Sequence, residues 1–265
     1  MDAYRIETCL KAATIPSPMA PLIYVINLDR DVERMTSLAG SLKALNLPFE
    51  RVSAVLGKEV PDWEKLVDVE LYGARNRLPM PRPGEVGCYL SHLKAMEEFL
   101  RTDAPWCVIL EDDVEVRPEC VEVLEALGQK DDWDLVKLFC FHSGLPVRKR
   151  ALTQNHHLVV HLTRTTSSAA YVVNRRAAET SLKSMYPISE QVDHALERPW
   201  ETGLRVRGVR PLPVVLAPVS ATTTIGYEGR HAVRMPWRRS LRLFLSRADK
   251  ELRRFGNAVA EGFVR

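Results

Sequence analysis

The stretch from Pro21 to Val55 constrains the fold more than any other part of the chain. PLIYVIN is a short, β-branched apolar run of the kind that forms a buried strand. Val32, Met35, Leu38, Leu42 and Leu45 then recur at three and four residues, which is the spacing of one helical face. Asn46 supplies a helix stop, and FERVSAV reads as the next strand. Strand, helix and strand in so short a span make a βαβ unit, normally a right-handed crossover between parallel neighbours.

The rest of the chain repeats the alternation. Residues 58–84 are rich in proline and arginine and have no period, which predicts a long excursion over the surface, a place where function or mobility concentrates. Val86, Tyr89, Leu93, Met96 and Leu100 then mark one face of a helix. The apolar run Trp106–Leu110 predicts a strand, residues 118–127 a helix stopped by Gly128, and WDLVKLFC another strand. HLVVHL, AAYVVN and PVVLA read as strands, and RRAAETSLKSM and EQVDHALER as short helices. This order predicts an α/β domain of three layers, with a mixed, mostly parallel central sheet and helices on both faces. No internal repeat or low-complexity tract interrupts it.

Composition narrows the class. A net charge of +3 gives no reason to expect a nucleic-acid partner, and no run approaches the roughly 20 apolar residues of a membrane span. The first 20 residues lack the basic start and unbroken apolar run of a signal peptide, and Ile15-Pro16-Ser17-Pro18 reads as an extended linker. Five cysteines, an odd number with no C-x-x-C pair, read as reduced thiols of a cytoplasmic protein. P-loop, G-x-G-x-x-G, G-x-S-x-G and H-E-x-x-H patterns are all missing, so kinase, dehydrogenase, serine hydrolase and zinc protease readings lose their main support.

The acidic triplet Glu111-Asp112-Asp113 is the strongest chemical signal. Three adjacent carboxylates repel one another and resist burial, yet here they terminate a fully apolar strand. Ligands of open α/β sheets bind beyond the carboxyl ends of the strands, so these oxygens sit where a hard divalent cation would hold a diphosphate. The competing reading is a solvated turn of helix-capping acids. Asn27-Leu28-Asp29-Arg30 closes the first strand at an equivalent place, and Arg30 and Arg34, one helical turn apart, could face a diphosphate together; capping by Asp29 or Asp31 beside surface arginines is the alternative. Gly84-Glu85-Val86-Gly87 opens a helix that carries Ser91 and His92 towards the same crevice, although a lone histidine on a helix is more often structural. Asp193, on a short helix, is the candidate general base for an acceptor hydroxyl, with a first-turn helix acid as the bland alternative.

Taken together, YVINLDRDVERM, FERVSAVLGK, GEVGCYLSHLKAMEEF and VILEDDVEV resemble glycosyltransferase family 25, the lipooligosaccharide and collagen galactosyltransferase group. SSAAYVVNRRAAE, QVDHAL and SATTTI extend the likeness more weakly to about residue 226. The resemblance implies a GT-A-like nucleotide-sugar fold and transfer with inversion from a UDP-hexose, often UDP-galactose, to a glycan or lipid-linked glycan such as lipooligosaccharide. It also implies a divalent cation, Mn2+ by expectation. Carried onto this chain, it makes Glu111, Asp112 and Asp113 the counterpart of the family's metal motif, with Glu111 and Asp113 as the expected ligands, and the base expected for the transfer is Asp193. Asn27, Asp29, Arg30, Arg34, Ala54, Gly57, Glu85, Ser91, His92 and Asp112 become the donor-binding residues. The triplet stands where the family has Asp-x-Asp, so the pair of acids that reaches metal is left open. A non-catalytic nucleotide-binding scaffold, or a membrane-surface adaptor, is the competing reading.

The tail lies outside the resemblance. Residues 234–265 hold nine Lys or Arg and three Asp or Glu, a net of 9 − 3 = +6, which leaves the rest of the chain at +3 − 6 = −3. Trp237, Leu241, Phe244, Ala248, Leu252, Phe255, Val259 and Phe263 recur at helical spacing beside arginines. That pattern predicts an amphipathic helix on an anionic membrane surface, with packing on the body or on a second subunit as the alternative. The expected organisation is an extension over 1–20, a catalytic domain over 21–233 and a basic helix over 234–265. The protein is expected in the cytoplasm, peripheral on the inner face of the cytoplasmic membrane.

Overall fold

A computed structural model describes residues 21–218 and 236–263. The N-terminal extension and the SATTTI segment lie outside the described residues. The first half comprises β1 (Leu22–Asn27), α1 (Val32–Ala44), β2 (Glu50–Ser53), α2 (Val69–Arg75), α3 (Pro83–Leu100), β3 (Trp106–Glu111), β4 (Val114–Val116) and α4 (Cys120–Gly128). It continues through β5 (Leu135–Lys137), β6 (Pro146–Ala151), β7 (His157–His161), β8 (Ala170–Asn174), α5 (Arg175–Ser184), α6 (Val192–Ala195) and α7 (Pro199–Thr202). The last elements are β9 (Val206–Arg210), β10 (Val214–Leu216) and α8 (Trp237–Phe263).

Eight strands form the main sheet in the order β2-β1-β3-β8-β5-β9-β7-β6. The pairings give six strands one direction and leave β8 and β7 opposed, so the sheet is mixed and mostly parallel, as expected. β1 and β3 read as unbroken apolar runs because both of their faces are covered. Tyr24, Ile26, Cys107 and Ile109 enter one core with α3 and α5, while Ile23, Val25, Val108 and Leu110 enter the other with α1 and α4. β1 pairs in parallel with β2 and β3, so its C-terminal end lies between theirs and the crevice for a ligand opens there.

Several expectations are corrected. PVVLA becomes β10, which pairs only with β4 in a separate two-stranded ribbon. EQVDHALER yields only the four-residue α6, and WDLVKLFC only the three residues of β5. Residues 58–84 are not a featureless excursion. They contain two 3₁₀ turns and α2, and the segment is stitched to residues 188–190 by Asp68 N–H to Ile188 O at 3.0 Å and Arg75 Nη1 to Ser189 Oγ at 2.9 Å. β6 carries no apolar stripe because it is an exposed, charged edge strand, a common defence against edge-to-edge pairing.

Helix α8 packs along α2, α7 and β7 through its charged side. Lys250 Nζ bonds Glu190 at 2.5 Å, Arg254 stacks on the Trp200 ring 5.3 Å from its centroid, and Arg207 pairs with Glu261. Leu243 and Ala258 are buried against the body, whereas the stripe from Trp237 to Phe255 faces out. Beneath the helix, Glu197 gathers Lys137, Thr165 and Arg254; burial pushes its carboxyl up, but those partners outweigh it and hold the group down at about 2.

The loop after β2 lies hard against the start of α3. A Cβ on Gly57 would meet Pro83 O at 1.7 Å, and one on Gly87 would meet Val55 O at 2.5 Å, both backbone atoms. Gly57→Ala is therefore expected to cost about 1–3 kcal/mol through forced backbone displacement. Urea unfolding checks this, and an unchanged midpoint would show that the loop does not pack as described.

Candidate functional site

A cleft of about 1770 Å³ opens over the carboxyl ends of β1 and β3. β3 delivers Glu111 to its floor, and the following turn delivers Asp112 and Asp113. Arg34, on the first turn of α1, bridges the last two, with Nη2 at 2.6 Å from Asp112 and 3.0 Å from Asp113. Asn27, at the end of β1, donates from Nδ2 to Asp112 Oδ2 at 2.6 Å and to Asp31 O at 3.0 Å. Arg51 Nε in turn donates to Asn27 Oδ1 at 2.9 Å and fixes the amide. Arg34, which the sequence reading sends to a diphosphate, is thus occupied in holding the acids together. Arg30 precedes α1 and is not one helical turn from it within the helix; its side chain stays exposed at the cleft.

Glu111 faces the other way in the network. Its Oε1 accepts from Ser168 Oγ at 2.7 Å and lies 3.2 Å from His92 Nε2, and His92 Nδ1 lies 2.9 Å from the Tyr171 hydroxyl. Burial pushes the Glu111 carboxyl up, but His92, Ser168 and Arg34 together hold it below the usual range. Burial pushes Asp113 up to about 6, with the Glu111 charge adding and Arg34 opposing. Asp112 is also raised by burial, partly offset by Asn27 and Arg34. Neighbouring acids in one cleft are driven apart in this way when their surroundings differ.

Asp193 lines the same cleft from α6. Its Oδ1 accepts from His194 N–H at 2.9 Å and its Oδ2 from Ser167 N–H at 3.3 Å. Adjacent residues therefore hold two acids, Ser167 on Asp193 and Ser168 on Glu111. Thr166 and Ser167 have φ of 48° and 106°, a left-handed backbone that non-glycine residues seldom adopt away from functional sites.

The remaining candidates divide by role. Ala54 and Gly57 line the cleft, and Ala54 N–H bonds Asn27 O at 2.9 Å. Ser91 is buried, accepting from Val55 N–H at 2.8 Å and donating to Gly87 O at 2.6 Å, so it fastens the loop after β2 to α3. Glu85 caps α3 by accepting from Arg82 N–H at 2.7 Å and holds Gln191 Nε2 at 2.8 Å. Asp29 is not among the described residues that line the cleft, because Arg51 and Ser53 on β2 hold it aside and keep its carboxyl below the usual range. Arg51, Ser168 and Tyr171 carry no motif of their own in the sequence, although the first lies inside FERVSAV and the others inside SSAAYVVN. Arg247, Lys250, Glu251 and Arg254 of α8 also line the cleft, and no sequence motif marks them.

The acids suit a hard cation. Asp113 Oδ1 is buried and has no hydrogen-bond partner among the described residues, an acceptor whose desolvation a cation would offset. Glu111, by contrast, already has one oxygen engaged. Cys88, His92 and Glu111 offer a second cluster, with ligand atoms within 4.8 Å of one another. Burial together with the charges of Glu111, Asp193, Asp113 and Glu85 pushes the Cys88 thiol well up, which disfavours the thiolate a soft metal needs.

The family model described as glycosyltransferase family 25 (LPS biosynthesis protein) matches residues 20–196. A glycosyltransferase 25 family member of Anopheles gambiae is 33% identical over 127 residues, covering 43% of this chain and 21% of that protein. A putative glycosyltransferase of Haemophilus influenzae is 28% identical over 117 residues, covering 43% of this chain and 40% of its own length. Procollagen galactosyltransferase 2 of Homo sapiens is 26% identical over 123 residues, covering 43% and 20%. The chain thus spans well under half the length of each of these relatives.

The raised Asp113 carboxyl gives a stability prediction for the metal-free chain. Its native value of about 6 lies above the ordinary 3.8, so its contribution to stability is full below pH 4 and is lost as pH rises through 6. Asp113→Asn removes that loss and should be more stable than the parent by about 1–3 kcal/mol at pH 7.5, with no gain at pH 4. Urea titrations at the two pH values check this. An added hard divalent cation should raise the melting temperature of the parent and not of the variant.

Proposed function

The chain belongs to glycosyltransferase family 25, and from that premise we propose that it transfers a hexose, galactose by preference, from a UDP-sugar to a hydroxyl of a glycan acceptor with inversion. The acceptor would be lipooligosaccharide or another cell-surface polysaccharide, and the enzyme would work in the cytoplasm. The observation that carries this reading is the gathering of Asn27, Arg34, Glu111, Asp112 and Asp113 at the ends of β1 and β3, in one cleft with Asp193.

The reaction asks three things of these residues. The acceptor oxygen must lose its proton as it attacks the anomeric carbon, and Asp193, oriented by two backbone N–H groups, takes it. The bond from the anomeric carbon to the diphosphate oxygen breaks, and its electron pair leaves with UDP. Arg30, exposed at the cleft, offers the diphosphate a guanidinium, while Arg34 keeps Asp112 and Asp113 in place. Asp113, with Asp112 and Glu111 beside it, would hold a divalent cation, Mn2+ by expectation, which when bound supplies charge neutralisation for the departing diphosphate. His92, buried between Tyr171 and Glu111, orients the carboxylate from behind.

Two substitutions and one panel test the reading. A thermal-shift panel of UDP-sugars with Mn2+ should single out the donor, which stabilises the fold by mass action. Asp113→Asn should lose on the order of 100-fold or more in transfer. Asp193→Asn should lower kcat sharply while UDP affinity stays level, the signature of a group acting in the transition state. A chain that binds UDP with no turnover of any UDP-sugar would be the nucleotide-binding scaffold instead. A fall in UDP binding with kcat preserved would move Asp193 to the donor side.

A further inference from the structure

We propose that the outer face of α8 docks the protein on an anionic lipid surface, while the inner face of the same helix walls the cleft. The two faces are fixed apart. Lys250 on Glu190, Arg254 on Glu197 at 3.6 Å and over Trp200, and Arg207 on Glu261 pin the inner face, so the helix cannot roll its apolar stripe inward without breaking several ion pairs. The stripe therefore stays in solvent: Trp237 is 69% exposed, Phe244 67% and Leu252 72%, and Leu241 and Phe255 are about half exposed. A row of large apolar side chains this long is uncommon on a soluble surface and marks a place where something binds.

Charge selects the occupant. Arg238, Arg242 and Arg253 are exposed on α8 near the stripe, and the acid close to them, Asp249, is paired with Arg253 at 2.8 Å. A two-fold interface sets a patch against its own copy, so self-association through this face would press the arginines of two molecules together. An anionic bilayer instead accepts both features at once, taking the rings and leucines into the boundary region while the guanidinium groups meet phosphates. A pocket of about 300 Å³ at the edge of the stripe, lined by Arg77, Ser240, Leu243, Phe244 and Arg247, repeats that chemistry with an apolar floor and two guanidinium groups. The stripe from Trp237 to Phe255 would lay roughly 28 Å of helix along the surface, at 1.5 Å per residue. Arg247 and Lys250 also face the cleft, so docking by α8 brings the cleft towards the bilayer; that a lipid-linked glycan then enters it rests on the transferase reading.

Flotation of the full-length chain with vesicles of phosphatidylcholine alone, or of phosphatidylcholine mixed with phosphatidylglycerol, tests the docking without any appeal to activity. The chain should float with the anionic vesicles, not with the neutral ones, and progressively less as salt rises. The Leu252→Glu/Phe255→Glu double variant should lose at least about tenfold in bound fraction, as insertion of two charges into the boundary requires. Its melting temperature should equal that of the parent, because both side chains face solvent, and its UDP affinity should be unchanged. Failure to float with anionic vesicles, or equal flotation of the variant, overturns the proposal. A lower melting temperature of the variant overturns it too, since the stripe would then be covered by protein. A lipid-free dimer that the variant dissociates would assign the face to a second copy.

Discussion

The guanidinium of Arg34 is the contact on which the working end of the molecule depends. A strand buried on both faces has delivered consecutive carboxylates to a half-buried rim, where their mutual repulsion and desolvation would otherwise pull the turn open. One nitrogen from the first turn of α1 reaches both Asp112 and Asp113, and Asn27 from β1 takes a further oxygen. The βαβ unit and the acidic turn therefore lock each other, and the fold's first crossover becomes part of the site. Removing Arg34 would leave two carboxylates without their shared counter-charge, a loss usually worth several kcal/mol.

What could be read from the sequence follows the range of the interactions. β1 and β3 were legible because burial on both faces makes every residue apolar, and α1 and α3 because a stripe at three and four residues leaves a periodic trace. β6 and β9, PVRKRA and VRGVR, carry too much charge to register, and α2 is too short for a period. Among the site residues, the acids were visible at the end of their strand. The chain from Tyr171 through His92 to Glu111 and Ser168 was not, because its bonded partners lie 19 to 79 residues apart in sequence. Ser91 and Glu85 line the cleft, yet their hydrogen bonds are spent on fastening α3.

α8 shows the same limit from another side. Its apolar stripe could be counted from the sequence, but periodicity records only that a face exists and is silent on what meets it. The answer depended on Glu190 and Glu197, far upstream, which bind the charged side of the helix and so settle its rotation. A buried glutamate with several cationic partners is held charged, so this anchorage survives across the neutral range and weakens only in strong acid.

The cleft is thus assembled from parts with different histories of constraint. Its floor consists of strand ends wedged between two cores, where a change of one side chain disturbs packing on both sides. Its outer wall is a single helix held by ion pairs at intervals of one to two turns, with little apolar interlocking against the body. Residues of α8 that stand clear of the body, unlike the buried Leu243 and Ala258, can vary in size and charge without repacking any core. A cleft built in this way can change which molecules it admits while leaving the reacting groups where they are, so recognition can diverge between related chains faster than chemistry does.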